Sequence, residues 1–62
     1  MFKIITKDSK IYIGNVASPD NQVTAADYRQ VGKILNQFNV ISIYGHDEMI
    51  LPRGHIKGWF EI

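Results

Sequence analysis

One segment with helical periodicity lies between two segments rich in strand-forming residues, and this arrangement limits the possible folds more than any other feature. The apolar positions of that segment are Tyr28, Val31, Ile34, Leu35 and Phe38. Their spacing places the side chains on one face of a helix. We expect the helix to cover about residues 25–37, with Thr24 as its N-cap and Asn39 near its C-cap.

Residues with β-branched and aromatic side chains dominate both flanks of the predicted helix. They predict five strands, at residues 2–6, 11–16, 40–44, 49–51 and 59–62. The polar loop Lys7–Lys10 joins the first two strands into a hairpin, and a turn at Gly45–Glu48 joins the next two. The resulting order ββαβββ predicts an α+β fold in which one helix covers a curved antiparallel sheet.

The alternation of side chains along a strand divides the first hairpin between a covered and an uncovered face. The side chains expected to lie under the helix are Phe2, Ile4, Ile11 and Ile13. Ile5, Tyr12 and Tyr44 are then expected on the uncovered face. Gly14 is expected where the second strand bends or where another backbone comes close.

The C-terminal segment resembles the end of SH3-like and Sm-like small barrels. In those folds a strand leads into one tight helical turn and then into a last strand that closes the barrel, and Pro52-Arg53-Gly54-His55 stands at the place of that turn. The first hairpin is similarly placed, so the resemblance covers residues 1–17 and 40–62, whereas the predicted helix departs from it. We therefore expect either a curved antiparallel sheet or a small SH3-like barrel, with one helix packed on it.

The length of 62 residues, without cysteine, limits both the fold and the function. The chain forms one domain, residues 1–62, that no disulfide stabilises. A substrate pocket of ~300 Å³ is hard to build in so small a core, so we expect no enzyme. No apolar run approaches the ~20 residues of a membrane helix, and no signal peptide is recognisable, so we expect a cytoplasmic protein without membrane contact.

Few residues of the sequence suggest catalysis or metal binding. His46-Asp47-Glu48, joined by His55, is the one candidate for a metal-assisted enzyme, but a charged, solvated turn explains the same residues. The five glycines are not spaced as in a phosphate-binding loop. We predict no catalytic residues, no metal and no cofactor.

A binding module is the function that the sequence favours. The predicted contact residues for a partner protein are Tyr12, Tyr44, Arg53, His55, Lys57 and Trp59. Aromatic side chains supply contact area, while Arg53 and Lys57 supply charge-assisted hydrogen bonds. In size and lack of cysteine the chain is similar to accessory proteins of bacterial phages and mobile elements, which implies a binder that alters the activity of a host protein. Short edge strands also make a second copy of the chain a candidate partner.

Nucleic-acid binding is the alternative function. It would use the same aromatic residues together with Lys3, Lys7, Lys10, Arg53 and Lys57. Small barrels bind single strands through basic grooves with stacking aromatics. The net charge of only +1 argues against this function. The alternative role of Tyr12, Tyr44 and Trp59 is packing in or at the edge of the core, because so small a core needs its large aromatic residues.

Overall fold

The computed structural model describes all residues, 1–62, and has the predicted order of elements. These are β1 (Phe2–Thr6), β2 (Ile11–Ala17), α1 (Tyr28–Phe38), β3 (Val40–Tyr44), β4 (Met49–Pro52), a 3-10 turn (Arg53–His55) and β5 (Ile56–Glu61). One helix packs on one five-stranded sheet, which confirms the α+β fold.

The sheet is antiparallel throughout and open. Its strands lie in the order β4-β3-β2-β1-β5, so β4 and β5 are the two edges. Only the 3-10 turn separates these edge strands along the chain, which requires the sheet to curve strongly. No ladder joins β4 to β5, and the sheet therefore does not close into the SH3-like barrel that we considered.

The pairing of β1 with β2 differs from the expected register. Ile4 pairs with Tyr12, and Ile5 pairs with Ile11. Because paired residues share a face, Tyr12 lies on the core side with Ile4, whereas Ile11 lies on the solvent side. The expectation that Ile11 and Ile13 pack under the helix is therefore wrong, because a shift of one residue exchanges the two faces of a strand.

Gly14 lies where another backbone comes close to β2, which is one of the two expected alternatives. Up to this residue β2 pairs with β1, and from Asn15 onward it pairs with β3. A Cβ atom built on Gly14 would lie 2.6 Å from the carbonyl oxygen of Tyr44 and 2.8 Å from Cγ2 of Ile43. Strand β3 can approach β2 this closely because position 14 carries no side chain.

The helix begins three residues later than predicted. Its N-cap is Asp27, not Thr24, because the Asp27 carboxylate accepts hydrogen bonds from the backbone N–H groups of Arg29 and Gln30, at 2.9 and 3.1 Å. Thr24 instead forms an isolated bridge with Ala17. Asn39 ends the helix in the left-handed conformation, with φ of 62°, as a C-cap should.

The core lies between the helix and the concave side of the sheet. The buried hydrophobic residues that pack together there are Phe2, Ile4, Val16, Ala25, Val31, Ile34, Leu35, Ile41, Ile43, Leu51 and Ile56. Tyr12, Phe38, Met49 and Trp59 are partly buried and pack against this core. The one helix is too short to cross a membrane.

Candidate functional site

The six predicted contact residues do not form one surface. Tyr12 and Trp59 pack against the core, and Tyr44 lies on the solvent side of the sheet, paired with Asn15. The three basic residues lie together in and beside the 3-10 turn: Arg53, His55 and Lys57. The predicted residues therefore comprise a core-packed pair of aromatics, an exposed tyrosine and a basic cluster, of which Arg53 and Trp59 line a common hollow.

Trp59 connects β5 to the helix. Its indole N–H donates a hydrogen bond to the backbone carbonyl of Tyr28 at 2.7 Å. Its ring atom Cζ2 lies 3.3 Å from the place where a Cβ on Gly32 would stand, so the absence of a side chain at Gly32 permits this contact. These contacts give Trp59 a structural role in addition to any binding role.

A basic end forms where the first hairpin loop meets the 3-10 turn. We use this name for Lys7, Lys10, Arg53, His55 and Lys57. The backbone N–H of Lys7 donates to the carbonyl of His55 at 2.9 Å, which holds the two segments together. The basic end contains four of the seven Lys and Arg residues, and Asp8 is the one acid beside it out of six in the chain. With Asp8 counted and His neutral, this end carries +3 and the remainder of the chain −2.

Asp8 is held in place by its neighbours at the basic end. The Thr6 hydroxyl donates a hydrogen bond to its carboxylate, His55 Nε2 lies 3.8 Å from Oδ1, and Lys10 Nζ lies 3.9 Å from Oδ2. The Thr6 hydrogen bond is the main cause that lowers the pKa of the Asp8 carboxyl, and Lys10 and His55 act in the same direction. Asp8 therefore stays ionised at neutral pH and offsets part of the positive charge around it.

The solvent side of β2, β1 and β5 carries an apolar surface that includes Ile5, as expected, together with Ile11 and Ile13 in place of the expected Tyr12. This outer patch consists of Lys3, Ile5, Ile11, Ile13, Gly58 and Phe60. Ladder pairing places Ile5 beside Ile11, and Lys3 between Ile13 and Phe60. Ile11 is 55% exposed and Phe60 is 52% exposed, so both present large apolar areas to solvent.

Two details shape the outer patch. Gly58 pairs with Ile5, and a Cβ added at Gly58 would meet no atom within 4 Å, so there is open space over this position, which we call the notch. The Lys3 ammonium lies 5.7 Å from the centroid of the Phe60 ring, within the range of a cation–π interaction. This contact orients the exposed ring and places a positive charge inside the apolar patch.

A second apolar surface lies at the other half of the sheet. Ile50 on β4 is 63% exposed and Tyr44 on β3 is 38% exposed. Together with Met49, Glu48 and residues of the loop after β2, they line an open groove of about 510 Å³. This surface groove exceeds the ~300 Å³ that we expected to be hard to build in so small a chain. A smaller hollow of about 240 Å³ between α1 and β5 includes Arg53 and Trp59 in its lining.

The residues considered for a metal-assisted enzyme lie in two separate turns. His46 Nδ1 stands 3.9 Å from its neighbour Asp47, while His55 faces Asp8. The Asp47 carboxylate instead accepts a hydrogen bond from the backbone N–H of Ile13 at 2.8 Å, which ties the β3–β4 turn to β2. No group of three or more His, Cys, Asp or Glu side chains comes close enough to hold a metal ion. No family model, curated protein or solved structure matches the chain.

Proposed function

We propose that the protein is a non-enzymatic binding module that contacts a partner protein through the outer patch. The observation that carries this proposal is the exposure of Ile11 and Phe60 beside Ile5 and Ile13 on one side of the sheet. Contiguous apolar surface of this kind is typical of interaction sites in small soluble proteins. Because about half of each residue is already covered, burying Ile11 and Phe60 fully would contribute roughly 0.8–1.5 kcal/mol for each side chain.

The composition of the outer patch fits an interface rather than an accidental exposure. Phe60 is a large anchor at its edge, and the notch at Gly58 can receive a side chain of the partner. Lys3 adds a charge beside the aromatic ring, which favours a partner of complementary charge. By occupying such a surface, a small module alters what its partner can bind.

Affinity capture with matched variants tests the proposal. The test variant is Ile11→Thr/Phe60→Thr, and the control is Tyr44→Thr/Ile50→Thr, which removes two exposed apolar residues from the other half of the same sheet. Threonine keeps the strand preference at each position, so both variants should fold, and ¹⁵N–¹H spectra verify this. We expect proteins captured by the wild type and the control, with nuclease present, to be lost with the test variant. Capture that does not depend on Ile11 and Phe60 would refute the proposal.

Nucleic-acid binding through the basic end is the second candidate, favoured by a separate observation. The hydrogen bond from Lys7 to His55 brings the hairpin loop and the 3-10 turn together and so concentrates positive charge. Of the five basic residues predicted for this function, only Lys3 lies elsewhere, on the outer patch.

Titration of the protein with oligonucleotides at several salt concentrations tests this second candidate. Binding to phosphates should weaken steeply with salt, and Lys10→Ala and Arg53→Ala should each lower the salt slope by about 1. Capture that disappears on nuclease treatment would favour this candidate over the protein partner. Binding that is insensitive to salt would exclude it.

A further inference from the structure

The edge strand β5 has backbone N–H and C=O groups that form no hydrogen bond with another strand. Ile62 donates its backbone N–H to Met1 at 3.0 Å, and hydrogen-bonded pairs alternate along an antiparallel ladder. The N–H and C=O groups of Gly58 and Phe60 therefore face β1, whereas those of Trp59 and Glu61 face away from it. These outward groups form a free edge of the kind to which extended segments add.

The other edge of the sheet is a weaker template. Strand β4 has four residues against six in β5, and it ends at Pro52, which has no backbone N–H to donate. Its neighbour on the chain, Arg53, already uses its N–H to bond the carbonyl of Asn39 at 2.8 Å. An added strand would therefore form more hydrogen bonds at β5.

The outer patch continues to this free edge. A segment added beside β5 would place alternate side chains next to Gly58 and Phe60 on the solvent side of the sheet. The notch at Gly58 leaves room for an apolar side chain of that segment to contact Ile5. The edge and the patch would thus be covered together by one partner.

The charges beside β5 indicate which kind of segment fits. Lys3 lies over the Phe60 ring. Lys57 is exposed and has no pairing partner in β1, because the register shifts between the pairs Ile5–Gly58 and Thr6–Ile56. Glu61, at the end of the strand, is the one acid on β5. Carboxylates complement this surface.

We propose that the partner supplies an extended acidic segment that adds to β5 as a sixth strand, with an apolar side chain over Gly58 and carboxylates near Lys3 and Lys57. This inference rests on the proposed function, because it names the segment by which the partner protein holds the outer patch. It is narrower than that function, since a partner could cover Ile11 and Phe60 without adding a strand.

Titration of the ¹⁵N-labelled 62-residue chain with capped hexapeptides tests the inference. The probe alternates Val and Glu, and the matched control replaces each Glu with Lys. We expect shifts confined to β5 and its patch neighbours, a Kd of about 1 mM or tighter for the acidic peptide, and at least tenfold weaker binding of the basic one. Amide exchange at Trp59 and Glu61 should slow about tenfold on saturation, because their N–H groups become bonded.

Two variants separate strand addition from other contacts. Glu61→Pro removes an outward N–H that has no partner within the chain, and Gly58→Glu fills the notch with a like charge for the probe; each should weaken binding tenfold or more. Ile50→Thr, on the far half of the sheet, is the control and should change nothing. Spectra of the free variants establish that each is folded.

Several results would overturn the inference. These are no binding of the acidic peptide, equal binding of the basic one, shifts centred on Tyr44 and Ile50, or binding unaffected by Gly58→Glu. Self-association that Glu61→Pro abolishes would also overturn it, because a second copy would then occupy the edge. If the acidic peptide does not bind while affinity capture of partner proteins still depends on Ile11 and Phe60, strand addition is refuted and the proposed function stands.

Discussion

Replacing Gly14 with alanine tests the close approach of β3 to β2 at this residue. The added Cβ would lie 2.6 Å from the Tyr44 carbonyl oxygen and 2.8 Å from Cγ2 of Ile43, both closer than real Cβ atoms approach. The first neighbour is backbone and the second is a buried side chain, so the strands must move apart. Forcing one extra carbon into a well-packed site costs roughly 1–3 kcal/mol.

That cost is a large fraction of the stability of a small domain. At about 0.05–0.15 kcal/mol per residue, a chain of 62 residues has a free energy of unfolding of roughly 3–9 kcal/mol. A loss of ~2 kcal/mol corresponds to a decrease in Tm of roughly 8–16 °C for a domain near this size. Gly14→Ala should therefore be clearly less stable than the wild type and near unfolding at elevated temperature.

The same substitution at Gly58 is the matched control. Gly58 also lies within a strand, but a Cβ there meets no atom within 4 Å and its φ is not positive. Gly58→Ala should raise stability by about 0.5–1 kcal/mol, because glycine loses more conformational freedom on folding. Urea unfolding, followed by Trp59 fluorescence and by far-UV circular dichroism, measures both variants. The close approach of β3 to Gly14 would be refuted if Gly14→Ala were as stable as the wild type. It would also be refuted if both variants lost the same free energy of unfolding.

Three further substitutions test other contacts. Asp27→Ala removes the N-cap and should lower the free energy of unfolding by ~1 kcal/mol in urea titrations, while an exposed substitution on the same helix, such as Lys33→Ala, should change it by less than ~0.5 kcal/mol. Trp59→Phe removes the hydrogen bond to Tyr28 and should also cost ~1 kcal/mol; an unchanged stability would exclude that bond. Because the folded-state pKa of Asp8 is lowered from 3.8, its ionised form stabilises the fold above that pH. The stability difference between wild type and Asp8→Asn should therefore be fully present at neutral pH and shrink as pH falls below 3.8; a difference that grows on acidification would contradict the assigned contacts.

Local sequence signals predicted the element order well. The polar loop Lys7–Lys10, the stripe of the helix and the left-handed C-cap at Asn39 each act within a few residues, so propensity and periodicity identify them. The start of the helix was missed because Thr24 and Asp27 are both good N-caps. The choice depends on the bridge between Thr24 and Ala17, which is a contact between segments distant from the helix stripe.

The candidate site was harder to predict because it depends on register. Alternation along β2 allows either face to be the covered one, and the apolar Ile11 and Ile13 make the wrong choice attractive. Which face is covered decides whether Tyr12 or Ile11 is exposed, and therefore which residues are available for binding. The sequence likewise does not show whether the first hairpin loop contacts the 3-10 turn; only the three-dimensional structure shows that it does.

In the folded chain, Gly14 favours the observed register over the alternative one. Its missing side chain is required because the carbonyl oxygen of Tyr44 and the buried side chain of Ile43 lie close to position 14. Alternation then places Tyr12 and Val16 on the core side and Ile11 and Ile13 on the solvent side. A shift of the register by one residue would bury Ile11 and Ile13. It would also bring a residue with a side chain to the place where β3 comes close to β2. Threonine would serve the strand equally well at these two solvent-side positions. The exposed part of each isoleucine lowers the free energy further only when another molecule covers it, which is the physical basis for proposing the outer patch as an interface.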